Sequence, residues 1–153
     1  MAKIDYTIAG TKAGFVLTDE QQDIVEELIH NRFYFNCAQT GVGKTYSTIT
    51  AAIRIIVANK DKDFHFALVL PNSAIKAFTD TIGEIVGLPY NIYTTELKRT
   101  QKNARFHIFT YNTLSDNLFT LDENKQPRLT GTNKYYEILL ELRREHKNLW
   151  LVC

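Results

Sequence analysis

Residues 38–45 read Ala-Gln-Thr-Gly-Val-Gly-Lys-Thr, and this octet decides the fold. The alternating stretch 33–37 before it predicts a short strand, and the apolar periodicity from Lys44 to Asn59 after it predicts a helix. In a glycine-containing turn between strand and helix, backbone N–H groups can face inward and bind an anion. The helix aims the positive end of its dipole at the same point. The octet therefore predicts a phosphate-binding loop.

Each residue type in the octet has a chemical role. Gly41 and Gly43 permit backbone conformations and close approaches that a Cβ would block. The Lys44 ammonium can reach the β and γ oxygens of a nucleoside triphosphate, and the Thr45 hydroxyl can ligate Mg²⁺, which makes these two the candidate catalytic residues. We predict that ATP with Mg²⁺ binds here. The predicted contacts within the octet are Thr40, Gly41, Val42, Gly43, Lys44 and Thr45.

The rest of the chain alternates helical and strand patterns, which predicts a mainly parallel sheet covered by helices. Thr18 is a candidate N-cap for a first helix. Helices are predicted at 18–30, 44–59, 72–86, 112–119 and from about 135, strands at 33–37, 64–70, 90–93, 105–109 and 149–152, and a loop at 121–133.

Position 38 is Ala where the general phosphate-loop pattern has Gly, and in this form the octet resembles motif I of superfamily 1 and 2 helicases and translocases. Its Thr-Gly-x-Gly-Lys-Thr core is most similar to superfamily 2. Residues 17–22, upstream, resemble the helicase Q motif, in which a Gln side chain recognises the adenine edge. The resemblance gives this role to Gln21, with Gln22 as the alternate register. Phe15 either stacks on the adenine or anchors the start of the helix.

Two downstream segments carry the same resemblance. Residues 68–73 are similar to motif Ia, which touches the nucleic-acid backbone, so Asn72 and Ser73 are candidate phosphate contacts or a plain helix cap. Residues 108–114 resemble the Thr-Tyr-x-x-Leu segment of Snf2-like translocases, which makes Thr110 a further backbone contact, while Tyr111 is expected to pack in the core. Four basic residues with no acidic residue between them either bind phosphates or form a solvated loop: Lys98, Arg99, Lys102 and Arg105.

The resemblance implies one N-terminal RecA-like domain over residues 1–153, an α/β three-layer sandwich. In the family, an Asp-Glu pair follows the strand that 149–152 matches. We therefore expect a fragment that ends before its catalytic acids and lacks the second RecA-like domain, with weak nucleotide binding and negligible hydrolysis. The parent protein would hydrolyse ATP and move along nucleic acid, DNA rather than RNA. A small nucleotide kinase and a non-catalytic interaction module are the alternatives.

Composition narrows the class of protein. With 153 residues and a formal net charge of +1, the chain fits one globular domain and gives no global case for nucleic-acid binding. It has no apolar run of membrane-spanning length and no signal-like start, so we expect a cytoplasmic, monomeric protein. Cys37 and Cys153 are expected to be free thiols. The histidines, at positions 30, 65, 107 and 146, are scattered, and the sequence predicts no zinc site.

Overall fold

The structure is a computed structural model that describes residues 16–31, 43–95, 98–116, 119–129, 131 and 133–153. The predicted strand at 33–37, Phe15, and the loop residues Thr40, Gly41 and Val42 lie outside the described residues. The chain divides into two compact units, one of residues 1–62 and 76–88 and the other of residues 63–75 and 89–153. None of the described helices is long and apolar enough to cross a membrane.

The first unit is helical in its described part. Helix α1 spans Asp19–His30 and helix α2 spans Lys44–Ala58, as the sequence predicts. Thr18 begins α1 with a capping box, in which its hydroxyl accepts from the Gln21 N–H and its own N–H donates to the Gln21 side chain. The two helices pack through a small apolar cluster built on Leu17, Val25 and Ala51.

The helix predicted over 72–86 is divided into three pieces. A 3-10 turn at Asn72–Ala74 leads into the short helix α3, Ile75–Thr79, and a π-helical stretch follows at Asp80–Ile85. The Thr81 hydroxyl donates to the Ala77 carbonyl, an acceptor that the regular helix also uses, and the Val86 N–H donates five residues back, to Thr81. This competition widens the last turns, and Gly87, with a φ of +75°, ends them as predicted.

The second unit is built on a five-stranded sheet. Its strands are β1 (Phe64–Leu70), β2 (Tyr90–Tyr93), β3 (Lys98–Arg99), β4 (Phe106–Thr110) and β7 (Asn148–Val152). Their order is β3-β2-β4-β1-β7, and all neighbours run parallel except β3, which is antiparallel to β2. This arrangement confirms the predicted α/β class with a mainly parallel sheet. The charged strand β3 forms one edge, and β7, with Leu151 exposed, is the other edge among the described strands.

Helix α5 (Lys134–Glu145) covers one face of this sheet. The buried side chains of Ala67, Tyr93 and Phe109 on the strands and Leu142 on the helix form its core. The predicted stripe on α5 is confirmed, because Tyr135, Ile138 and Leu139 pack against the same core.

Between β4 and α5 the structure differs from the prediction in part. The predicted short helix is present as α4, but it covers only Tyr111–Ser115, and the predicted loop contains a hairpin of β5 (Phe119–Leu121) and β6 (Pro127–Leu129). The Asp122 carboxylate organises the hairpin turn by accepting hydrogen bonds from the Asn124 and Gln126 N–H groups and from Arg128. The polar, proline-containing sequence showed no sign of the hairpin because its strands are only three residues long and the side chains of Leu121 and of β6 are exposed.

Candidate nucleotide-binding site

Gly43 begins helix α2 in a conformation that favours glycine. Its φ of 77° and ψ of 39° lie in the left-handed region, and its carbonyl accepts the N–H groups of Tyr46 and Ser47. A Cβ at this position would also overlap the amide nitrogen of Gln21. Gly43 is therefore required both for the turn and for the approach of Gln21.

The first turn of α2 is suited to an anion. Among the described residues no side chain caps this helix, and its first turn contains no acid. The leading N–H groups of a 15-residue helix therefore keep their positive partial charge. Lys44 and Thr45 stand in this turn and are partly exposed. The arrangement offers hydrogen-bond donors and a cation to an anion.

Gln21 lies beside this turn, and its hydrogen bonds fix how its side chain is oriented. The Thr18 N–H can only donate, so the atom 3.0 Å from it is the Gln21 Oε1, and the Nε2 faces Gly43. Oε1 retains a second lone pair for another donor. Gln22, the alternate candidate, donates its Nε2 to the Leu17 carbonyl, 3.0 Å away. Of the two, only Gln21 contacts the described end of the phosphate loop.

The two helices hold Gln21 and Lys44 in a fixed relation. The Glu26 carboxylate of α1 pairs with the Arg54 guanidinium of α2, and both side chains are partly buried. Tyr46 packs against the apolar cluster of α1 and α2. The amide that is predicted to recognise a base and the lysine that is predicted to bind phosphates therefore belong to one packed pair of helices.

The candidate nucleic-acid contacts follow two neighbouring strands of the second unit. Leu70, the last residue of β1, pairs with Thr110, the last residue of β4. The segments after both strands therefore lie next to each other at the carboxyl ends of the strands. Asn72 and Ser73 are exposed there. Thr110 is only 1% exposed, and its hydroxyl bonds the N–H and hydroxyl of Thr113. The expectation that Tyr111 packs in the core is wrong, because this side chain is 45% exposed.

The four residues of the predicted basic cluster differ in their exposure and in their contacts. Lys98 and Arg99 form the exposed edge strand β3, and the Arg99 guanidinium lies 4.2 Å from the Tyr90 ring centroid and donates to the Tyr90 hydroxyl. Lys102 is exposed, whereas one guanidinium nitrogen of Arg105 is buried and has no hydrogen-bond partner in the described part of the chain. These bases therefore do not form one uniform phosphate-binding surface.

The interpretation of the histidines as scattered is wrong, because three of the four converge in the second unit. His65 bonds Asp63 through Nε2 at 3.0 Å and His107 through Nδ1 at 2.9 Å, and His146 bonds the other Asp63 oxygen at 2.7 Å. Burial lowers the pKa of His107 to about 3. Burial also lowers the pKa of His65, against the opposing hydrogen bond to Asp63. The spacing of Asp63 and His65, two residues apart on one side of a strand, was the available signal.

The chain matches the family model described as type III restriction enzyme, res subunit, over residues 14–148. It belongs to this family. The match identifies a helicase-like superfamily 2 N-terminal domain, a class of ATPase that uses nucleotide and Mg²⁺. Comparison with curated proteins and with solved structures gave no match.

Proposed function

We propose that this chain is the ATP-binding motor domain of a DNA translocase with Snf2-like features. In this proposal Lys44 and the amides of residues 40–45 bind the triphosphate, Thr45 ligates Mg²⁺, and Gln21 recognises adenine. The observation that carries the proposal is the junction at Gly43, where a left-handed glycine, an uncapped helix start and the Gln21 amide meet. The family assignment favours this function over a nucleotide kinase or a non-catalytic module.

Energy conversion would require contact with nucleic acid as well as with nucleotide. Asn72, Ser73 and Thr110 are the proposed contacts to the backbone. The exposure of Asn72 and Ser73 supports direct phosphate binding. The hydroxyl of Thr110 is buried and caps the start of α4, so in this proposal Thr110 acts on the backbone contact by shaping that turn and not through its own hydroxyl.

A lysine variant tests the nucleotide site. Lys44→Ala removes a charge-assisted hydrogen bond worth about 1.5–3 kcal/mol, so the Kd for a non-hydrolysable ATP analogue with Mg²⁺ should rise about 10- to 150-fold. Lys60→Ala, an equal charge change at an exposed position just beyond the end of α2, is the matched control and should bind as the parent does. Isothermal titration calorimetry measures both. Equal affinities of Lys44→Ala and the parent chain would refute the proposed site.

A separate experiment tests the proposed preference for DNA over RNA. Fluorescence anisotropy with duplex DNA and duplex RNA of one sequence, at several salt concentrations, compares the two partners directly. The proposal expects tighter binding to DNA and a loss of affinity in Asn72→Ala/Ser73→Ala. Tighter binding to RNA would contradict the translocase assignment while leaving the nucleotide site intact.

A further inference from the structure

Three side chains that can ligate a metal meet at the amino ends of β1 and β7. Asp63 precedes β1, His65 is its second residue, and His146 lies between α5 and β7. One potential ligand atom from each lies within 4.8 Å of the other two. In a tetrahedral zinc site with bonds of about 2.0–2.1 Å, ligand atoms are about 3.3 Å apart. The three atoms must therefore move closer, by up to about 1.5 Å, to reach the separations of a metal site.

We propose that Asp63, His65 and His146 bind a divalent transition-metal ion of the zinc type. Two imidazoles and a carboxylate form a borderline ligand set, which suits Zn²⁺ and Co²⁺ better than Mg²⁺ or Ca²⁺. The Asp63 side chain is 60% exposed, so an ion can enter from solvent and water can complete its coordination.

A second layer of polar side chains supports His65. Its Nδ1 is 2.9 Å from the His107 Nε2, and the His107 Nδ1 is 3.3 Å from the Asn91 amide nitrogen. The Asn91 oxygen accepts the Gln101 N–H. Buried partners of this kind fix the orientation of a ligating imidazole. His107 is thus a positioning residue.

Metal binding requires two local adjustments. Each imidazole keeps one proton, so the proton of His65 moves from Nε2 to Nδ1, and His107 then accepts at Nε2 and carries its proton on Nδ1. The Asn91 amide nitrogen faces that Nδ1 while the Asn91 oxygen accepts the Gln101 N–H, so this proton shift also requires the Asn91 amide to move away from His107. The His65 and His146 rings are stacked, with centroids 3.5 Å apart and an interplanar angle of 17°. Because ring-nitrogen lone pairs lie in the ring plane, His146 must turn out of the stack to reach a shared ion. His146 follows the last residue of α5, and its side chain is 21% exposed.

The location gives the ion a structural role. The cluster lies at the amino ends of the parallel strands, whereas Thr110 ends β4 and Asn72 and Ser73 follow the carboxyl end of β1. A bound ion would join the start of β1 to the connection between α5 and β7. This inference is independent of the proposed nucleotide site.

The test uses the full chain without an affinity tag, stripped of metal and carrying Cys153→Ser so that the exposed thiol binds nothing. Calorimetry with Zn²⁺ should show one site. Co²⁺ should give the visible spectrum of a tetrahedral complex with nitrogen and oxygen ligands, and Zn²⁺ should raise the melting temperature.

Ligand variants decide the assignment. His146→Gln and Asp63→Asn should each weaken Zn²⁺ binding by more than about tenfold. His30→Gln, at the exposed histidine of α1, is the matched control and should leave binding unchanged. Circular dichroism establishes that each variant is folded. The proposal is overturned if the parent chain binds no Zn²⁺ at micromolar concentrations, or if His30→Gln lowers the affinity as much as His146→Gln does.

Discussion

Lowering the pH from 8 to 5 should destabilise the second unit, and His107 should account for much of the loss. This imidazole is 3% exposed and is hydrogen-bonded to His65 and Asn91. Burial, together with the neighbouring His65 and His146, lowers its pKa from 6.5 to about 3. The folded state therefore keeps His107 neutral over a pH range in which the unfolded chain protonates it.

The sign and size of the effect follow from the two pKa values. Because the unfolded state binds more protons between pH 6.5 and 3, the free energy of unfolding falls as the pH falls through this range. At pH 5 the loss from His107 is about 2 kcal/mol relative to pH 8. The lowered pKa of His65 adds to the loss in the same direction. Although burial raises the pKa of Asp63, hydrogen bonds from His146 and His65 lower it below 3.8, so its contribution is lost only at more acid pH.

Urea denaturation followed by fluorescence measures this loss, since Trp150 is the only tryptophan and lies on β7 of the same unit. His107→Gln keeps a donor for the His65 Nδ1 but cannot titrate, so its stability should depend less on pH by about 2 kcal/mol. His30→Gln should retain the full dependence. If His107→Gln loses as much stability as the parent chain between pH 8 and 5, the argument from burial is wrong.

Two further substitutions test the roles of single amides. Gln21→Glu keeps an acceptor for the Thr18 N–H but removes the Nε2 donor, so the preference for ATP over GTP should fall about 3- to 10-fold while the melting temperature holds. Gln22→Glu carries the same charge change and should leave the preference intact, and an unaltered ratio in Gln21→Glu would contradict adenine recognition. Asn133→Asp keeps the cap of α5 but removes the donor to the Thr113 and Asp116 carbonyls, at a cost of about 2–4 kcal/mol. Chemical denaturation should show a change within about 0.5 kcal/mol for exposed Asn112→Asp, and an equal effect of both substitutions would refute this role of Asn133.

Local signals in the sequence were sufficient for much of the fold. Thr18 caps α1 as predicted, because a short side-chain oxygen just before an apolar-periodic stretch can accept a hydrogen bond from an N–H of the first turn. The continuous apolar run at 64–70 became the buried strand β1. The hairpin β5–β6 was missed because Asp122 and a turn specify it rather than apolar burial. The π-helical stretch was not predicted because it depends on the hydrogen bond from the Thr81 hydroxyl to the Ala77 carbonyl. The apolar periodicity of the sequence does not reveal this bond.

The candidate site also has parts that the sequence predicted and parts that it did not. The start of α2 was predictable, because the glycine, lysine and threonine needed there are adjacent in sequence. The resemblance assigned adenine recognition to Gln21, but the contact between Gln21 and Gly43 was not predictable, since it depends on how two helices pack. The histidine cluster was missed because His65, His107 and His146 are far apart in sequence and meet only when β1, β4 and the segment before β7 are aligned.

The two margins of the five-stranded sheet differ in their capacity to accept a new neighbour. At β3, paired lysine and arginine side chains, one of them held over a tyrosine ring, leave only two residues of backbone for another strand to copy. At β7, five uncharged residues, four of them apolar, extend from Asn148 to Val152. Among the described strands, β7 is therefore the edge that offers the longer backbone to a further strand.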